Sequence, residues 1–239
     1  MKTTRIIIAV MASMLVAACG ENTKINIKHD HPERYSVGDT TLEQPISGIS
    51  VDWICGDVDI LYTDNPEVRI YEEIQEGFIP LTDSLRLRYC VDDEGELEIQ
   101  YCGDGKYRHG DLKNLRKHLF IEVPRGMELK DIDIDGVEAS VVIDKVLSQK
   151  VSIDGVMVNV NADYPDTLPD EIDINGVKCL LALHVKPTAG LTIGMSGVKS
   201  WLTCDLPSHK EAEKTIVGDG RCKVDADGVS VKLSVRELK

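Results

Sequence analysis

The stretch Ile132-Asp133-Ile134-Asp135-Gly136-Val137 decides the fold of this chain, because the same phrase returns four more times after it. Apolar and polar residues alternate, a small polar residue and a glycine follow, and the alternation then resumes. The later copies, of which the last is the weakest, are Val151-Ser152-Ile153-Asp154-Gly155-Val156, Ile172-Asp173-Ile174-Asn175-Gly176-Val177, Ile193-Gly194-Met195-Ser196-Gly197-Val198 and Thr215-Ile216-Val217-Gly218-Asp219-Gly220. Successive register glycines, Gly136, Gly155, Gly176, Gly197 and Gly218, are 19, 21, 21 and 21 residues apart. A period this regular indicates stacked supersecondary units.

Two all-β architectures fit the repeat. Asp-Gly and Asn-Gly between alternating runs are typical of tight hairpins, which favours an antiparallel β meander or sandwich. Equal spacing favours a right-handed parallel β-helix, or β-solenoid, with coils of about 20 residues, because stacked coils need equal lengths and hairpin loops do not. We predict the β-solenoid-like stack and keep the antiparallel arrangement as the alternative.

The region before the repeats predicts one continuous domain. An earlier copy of the phrase runs from Ile49 to Ile60 and makes Gly56 an additional register glycine. Alternating runs at 85–90 and 97–102 around an Asp-Asp-Glu-Gly turn predict a β-hairpin. Residues 19–45 lack sustained periodicity and predict a polar tether. We therefore expect a single domain at 46–238, with the hairpin in its first half (46–124) and the repeats in its second (125–238), closed at the open end by a final strand at 229–235.

The first residues predict export. Lys2 and Arg5 precede an apolar run that is shorter than the roughly 20 residues needed to span a bilayer, which is typical of a secretory signal. Leu15-Val16-Ala17-Ala18-Cys19 resembles the lipobox of bacterial lipoproteins, which implies cleavage after residue 18 and a lipid on Cys19. We therefore predict a signal peptide at 1–18 and a protein anchored through Cys19 in the bacterial cell envelope, at the outer membrane or cell surface. An ordinary cleaved signal is the alternative.

Charge and cysteine content limit the partners and the covalent structure. The formal net charge of −14 argues against a nucleic-acid partner. Six cysteines follow Cys19, and an even number in an exported chain suggests disulfides. Cys90 and Cys102 share a face of the predicted hairpin and are the best pair. Cys179 and Cys204 fall at inward-facing positions, where a free thiol packs as a small apolar group.

The turn residues of the repeat raise the question of a metal site. Asp135, Asp154, Asn175 and Ser196 each precede a register glycine, and a column of oxygen side chains is the type of ligand that calcium prefers. The same residue types also favour the turn itself, and we adopt that interpretation. We predict no metal and no cofactor.

The sequence shows no arrangement that indicates catalysis. Some β-helices cleave glycans with paired carboxylates, but the acidic residues here lie at turns or alternate with core positions. No Ser-His-Asp or Cys-His set stands out either. We therefore predict no catalytic residue and a non-enzymatic protein, with a glycan-acting enzyme as the less favoured alternative.

Several motifs resemble bacterial adhesin families, including the head domain of auto-transporter adhesins. They are Gly56-Asp57-Val58-Asp59-Ile60, the phrase Ile121-Glu122-Val123-Pro124-Arg125-Gly126 and the repeat itself, and the resemblance covers about residues 46–238. It implies a β-helix-like fold and an adhesion or binding module at the cell surface, with a protein or glycan as its ligand. The chain has Asp/Asn-Gly-Val where those families more often have Ser-Gly-Asp-Val, so no binding residue is transferred. A periplasm-facing structural or signalling protein that binds other envelope proteins is the competing hypothesis.

Overall fold

The computed structural model describes residues 24–76 and 81–238, and β-strands dominate both ranges. The helical elements there are a 3₁₀ turn at Pro32–Arg34 and the short helix α1 at His109–Asn114, and no helix of the described residues is long and apolar enough to cross a membrane. In chain order the strands are β1 (Lys24–Ile27), β2 (Ser36–Val37), β3 (Thr40–Leu42), β4 (Gly48–Thr63), β5 (Val68–Glu76), β6 (Arg88–Val91), β7 (Glu96–Gln100), β8 (Gly105–Arg108), β9 (Arg116–Pro124), β10 (Glu128–Asp144), β11 (Leu147–Tyr164), β12 (Glu171–Val185), β13 (Leu191–Met195), β14 (Lys199–Cys204), β15 (Ser208–Glu211), β16 (Lys214–Val217) and β17 (Cys222–Glu237).

The repeats pair in parallel and in register. Strands β4, β10, β11, β12 and β17 lie side by side in that order, each hydrogen-bonded to the next. Equivalent apolar positions therefore stack: Ile132 pairs with Ile49 and Val151, and Val151 pairs with Ile172. All four side chains are buried. The antiparallel alternative is wrong for these strands, because the Asp-Gly and Asn-Gly steps lie inside long parallel strands and do not form hairpin turns.

Gly136, Gly155 and Gly176 each lie at a change of face within their strand. In β10 the buried side chains are at even positions before Gly136, such as Ile134, and at odd positions after it, such as Val141. A Cβ on Gly155 would lie 2.1 Å from Cγ2 of Val158 and 2.5 Å from the carbonyl oxygen of Gly136. Real side chains do not approach so closely, so glycine is required where neighbouring strands change face together.

The order of the last strands differs from the sequence prediction. Strand β17 lies between β12 and the pair β13 and β14, so it does not cover the open end. Gly176 pairs with Gly228, which makes Gly228 the register glycine of β17. Gly218 instead follows β16, whose apolar residues pair antiparallel with β13. Sequence periodicity counts residues along the chain, and it could not show that one strand is inserted between two others.

The first half also departs from the predicted register. Gly56 pairs with Ala139, whereas Trp53 is the residue of β4 that pairs with Gly136. A Cβ on Gly56 would lie 1.9 Å from the carbonyl oxygen of Lys117, so this glycine allows the close approach of β9. Its φ of +120° is a second reason for glycine at this position.

The N-terminal part of the domain is held by short strands. Within the predicted tether, β1 pairs antiparallel with β8, and Ile25 and Ile27 are buried, so this part is packed and not loose. The predicted hairpin is confirmed as β6 and β7, and β7 continues the parallel order beyond β4. All strands except β1 and β8 belong to one mixed sheet of 15 strands. The all-β class predicted from the sequence is therefore confirmed.

Candidate functional site

A row of exposed valines runs across the strands at the change of face. Each follows a register glycine, and the row, here called the valine ridge, consists of Val137, Val156, Val177, Val229 and Val198 in spatial order. Adjacent parallel strands are about 4.8 Å apart, so five valines extend over roughly 19 Å. The ridge is thus a direct consequence of the parallel register.

Exposure increases along the valine ridge towards Val198. Val177 and Val229 are 51% and 52% exposed, and Val198 is 81% exposed. Val137 and Val156 are half-buried. Single exposed apolar residues are ordinary on protein surfaces, but a contiguous row of them indicates an interaction site.

At its buried end the valine ridge meets a groove beside α1. The groove has a volume of about 210 Å³, and its lining includes Ile54, His109, Lys113, Val137 and Met157. Met157 is 42% exposed, and its flexible thioether side chain suits a surface that adapts to a partner. The ridge and groove together form one apolar surface with a charged border.

The outer side of the stacked strands is acidic in the segments that precede the register glycines. Three of the four predicted members of the column, Asp135, Asp154 and Asn175, occupy paired positions on adjacent strands, whereas β17 separates Ser196 from Asn175. Pairing extends it to Asp52 at one end and Asp227 at the other.

One acidic cluster on this face has the spacing of a metal site. Oxygen atoms of Glu171, Asp173 and Asp225 lie within 4.8 Å of one another. Nζ of Lys150 lies 3.0 Å from Glu171 and 2.8 Å from Asp173, and Nζ of Lys223 lies 2.7 Å from both Glu171 and Asp225. These hydrogen bonds raise the pKa of both lysines and lower the pKa of Glu171. Two ammonium groups therefore balance two of the three carboxylates, and a metal ion would have to displace them.

Two carboxyl groups of the acidic face bind protons unusually tightly. Asp52 lies between Gln100 and Asp135 on the neighbouring strands. Desolvation, followed by the charge of Asp135, raises the pKa of Asp52 to about 8. Desolvation, followed by the charge of Asp131, raises the pKa of Glu96 to about 7. This part of the face is therefore partly protonated at neutral pH.

A buried ion pair stabilises the first half of the domain. Nζ of Lys117 lies 2.6 Å from Oε2 of Glu72, and both side chains are almost completely buried. The same ammonium donates to the carbonyl oxygens of Leu85 and Tyr101, and it lies 4.9 Å from the ring centroid of Trp53. Desolvation lowers the pKa of Lys117, and Glu72 opposes that effect. With three acceptors for its three N–H groups and no solvent access, Lys117 has a structural role.

The cysteines are free thiols throughout the described part of the chain. Cys90 lies opposite Glu98 in the β6–β7 ladder, and Cys102 lies beyond the end of β7, so the predicted Cys90–Cys102 pairing is wrong. Cys179 is buried as predicted, and Cys204 is half-buried against the core. Cys19, the predicted lipid-attachment residue, lies outside the described residues.

Sequence reasoning found the acidic column and the glycines but missed the valine ridge. Its signal was visible, since a valine follows the glycine at Gly136, Gly155, Gly176, Gly197 and Gly228 alike. Valine at an equivalent position of every strand suggested a core residue, because alternation alone does not show which face is exposed. The parallel register and the change of face had to be known first.

Comparisons with known proteins support the fold. A solved structure from Clostridium sporogenes, described as a "putative cell adhesion protein", covers 85% of this chain and 100% of its own, with a TM-score of 0.61 and 13% sequence identity. At this identity the likeness shows a shared fold. A "putative adhesin" from Parabacteroides merdae covers 86% of this chain and 97% of its own at 13% identity, but its TM-score of 0.22 carries no argument. No protein-family model and no curated protein matches the chain.

Proposed function

We propose that this chain is a non-enzymatic adhesion or binding module of the bacterial cell envelope, and that the valine ridge contacts its ligand. The observation that carries the proposal is a row of five valines on adjacent strands, of which Val177, Val229 and Val198 are exposed, Val198 to 81%. Complete burial of one valine side chain contributes roughly 1.5 kcal/mol, so covering several of them would provide a useful part of the binding free energy. Valine offers contact area without hydrogen-bonding groups, which favours a protein ligand over a glycan.

The proposal includes the β-helix-like arrangement and the lipid anchor. The parallel register of β4, β10, β11, β12 and β17 supports a stack of coils, which we propose to be right-handed. A lipid on Cys19 would hold this stack on a membrane, most simply the outer membrane. The fold that this chain shares with the "putative cell adhesion protein" of Clostridium sporogenes fits an adhesive role.

Attachment of cells that carry ridge variants tests the binding role. Val177→Asp with Val229→Asp places two charges in the centre of the ridge, on side chains that are already exposed. We expect these cells to lose attachment while producing the same amount of folded protein. Asn175→Asp with Thr203→Asp is the matched control, since it adds two charges at exposed positions away from the ridge. Equal loss of attachment in the control would refute a specific role of the ridge.

Protease treatment of intact cells separates the two envelope locations. A surface adhesin should be cleaved on intact cells, because its domain is exposed to the medium. If cleavage occurs only after the envelope is broken, the protein faces the periplasm, and the ridge would then bind another envelope protein.

A further inference from the structure

The end of the strand stack is only half closed. The outer edge of β13 pairs with β16, and β16 pairs in turn with β15. Strand β14, in contrast, pairs only with β17 among the described residues. The second half of the last coil therefore has an open edge.

The backbone groups on this open edge can be assigned. The N–H of Asp205 donates to the carbonyl oxygen of Val235 on β17. Alternate residues of a strand direct their N–H and C=O groups to opposite sides, so Ser200, Leu202 and Cys204 direct theirs away from β17. An edge of this kind is a template for an additional strand. Strand β14 contains no proline that would prevent such pairing.

The outer face beside this edge is basic, although the whole protein is acidic. Four exposed cations, Lys178, Lys199, Lys232 and Arg236, project from β12, β14 and β17 on the face opposite the buried residues of these strands. Within the described residues none of the four forms an ion pair with a carboxylate. Lysines on the acidic face behave differently, since Lys150 and Lys223 are each paired with two carboxylates. Asp205, exposed on the same face just after β14, offsets one of these charges, and the others leave a positive potential next to the edge.

An exposed tryptophan lies in the middle of this basic face. Trp201 is 51% exposed and pairs in register with Lys232, whose Nζ lies 5.6 Å from the ring centroid. Tryptophan is enriched among the residues that contribute most to binding at protein interfaces. The ring is available to cover apolar parts of a ligand on the added strand.

From these observations we infer that β14 accepts an extended acidic segment of a partner protein as an added strand. Main-chain hydrogen bonds to Ser200, Leu202 and Cys204 would hold the segment, and its alternate side chains would lie beside Lys199 and Trp201. A second copy of this chain is disfavoured as the occupant, because pairing of two β14 strands would place two basic faces side by side. The inference concerns the edge and not the valine ridge, so either can fail without the other.

A designed peptide tests the inference directly. The probe is a ten-residue peptide in which glutamate alternates with valine, titrated against the purified chain while tryptophan fluorescence is recorded. Trp201 is exposed and Trp53 is buried, so a blue shift on binding reports on Trp201. We expect binding of the glutamate peptide, at least about tenfold weaker binding to Lys232→Glu, and unchanged binding to the matched charge reversal Lys130→Glu on β10, where the side chain is exposed. Lys232 is exposed, and circular dichroism will show that its variant is folded.

Three controls separate strand addition from other occupants. A peptide with lysine in place of glutamate should not bind, and N-methylation of alternate glutamate-peptide residues should abolish binding by removing main-chain donors. Ser200→Pro should do the same from the protein side, since it removes an outward N–H and leaves the ladder to β17 intact. The inference would be overturned if the N-methylated peptide bound as tightly as the unmethylated peptide. It would also be overturned if a sulfated glycan fragment bound equally well to wild type and to Ser200→Pro. A dimer that forms through β14 and is detected by light scattering would overturn the inference as well.

Discussion

Asp52→Asn should stabilise the protein at alkaline pH, because ionised Asp52 is unfavourable in the folded state. Its pKa is raised from 3.8 to about 8 by desolvation and by the neighbouring Asp135. Each pKa unit corresponds to about 1.4 kcal/mol, so the whole shift would amount to roughly 5 to 6 kcal/mol. Asp52 is only half-buried, so solvent screens part of this effect and we expect a gain of about 2 kcal/mol for the variant.

The sign of the pH dependence follows from the raised pKa. The folded state binds a proton at Asp52 more tightly than the unfolded state does, so lowering the pH from about 8 to about 4 stabilises the wild-type protein. Glu96 acts in the same direction as the pH falls through about 7. The advantage of the Asp52→Asn variant should therefore be largest near pH 9 and much smaller at pH 5.

Urea unfolding measured between pH 5 and pH 9 checks this prediction. The curve of stability against pH should be flatter for Asp52→Asn than for wild type. Asp227→Asn is the matched control, because Asp227 occupies the exposed end of the same column, and its curve should run parallel to wild type. An Asp52→Asn variant that is less stable than wild type at pH 9, or a difference that does not change with pH, would refute the reasoning.

Three further predictions concern the core. Lys117→Met should lower the free energy of unfolding by about 3 to 5 kcal/mol, because it leaves Glu72 buried without its partner, and adding Glu72→Gln should recover part of the loss in urea unfolding. Gly155→Ala should lower the free energy of unfolding by about 2 to 3 kcal/mol, because the new Cβ would lie 2.1 Å from its nearest atom. Gly136→Ala should lower it less, because there the nearest atom would be 3.1 Å away. Equal losses of stability in thermal unfolding would contradict this ranking. A thiol reagent should label Cys204 first in the folded chain and the buried thiols only after unfolding, whereas thiols that stay unreactive in denaturant would indicate disulfides.

The sequence predicted the strands and the repeat because both depend on local patterns. Alternation of Ile132 and Ile134 with polar residues specifies a strand, and a constant period specifies parallel register, in which Gly136, Gly155 and Gly176 stack as expected. The insertion of β17 between β12 and β13 was not predictable, because it depends on contacts between residues far apart in the chain.

The site was harder to predict than the fold for a related reason. Exposure of Val177 and Val198 depends on the change of face at the preceding glycine, and apolar character alone does not reveal it. The prediction of Gly56 as a register glycine was wrong, because that glycine allows the close approach of Lys117 and does not lie at the change of face. The basic face around Trp201 combines residues of strands that are not consecutive along the chain, so no sequence window contains it.

Competition by the purified chain tests the central claim most directly. Wild-type chain added in solution should occupy the ligand and reduce the attachment of cells that display the protein. The Val177→Asp/Val229→Asp chain should fail to compete, while the Asn175→Asp/Thr203→Asp chain should compete like wild type. If the ridge variant blocks attachment as well as the wild-type chain does, the valine ridge is not the binding surface.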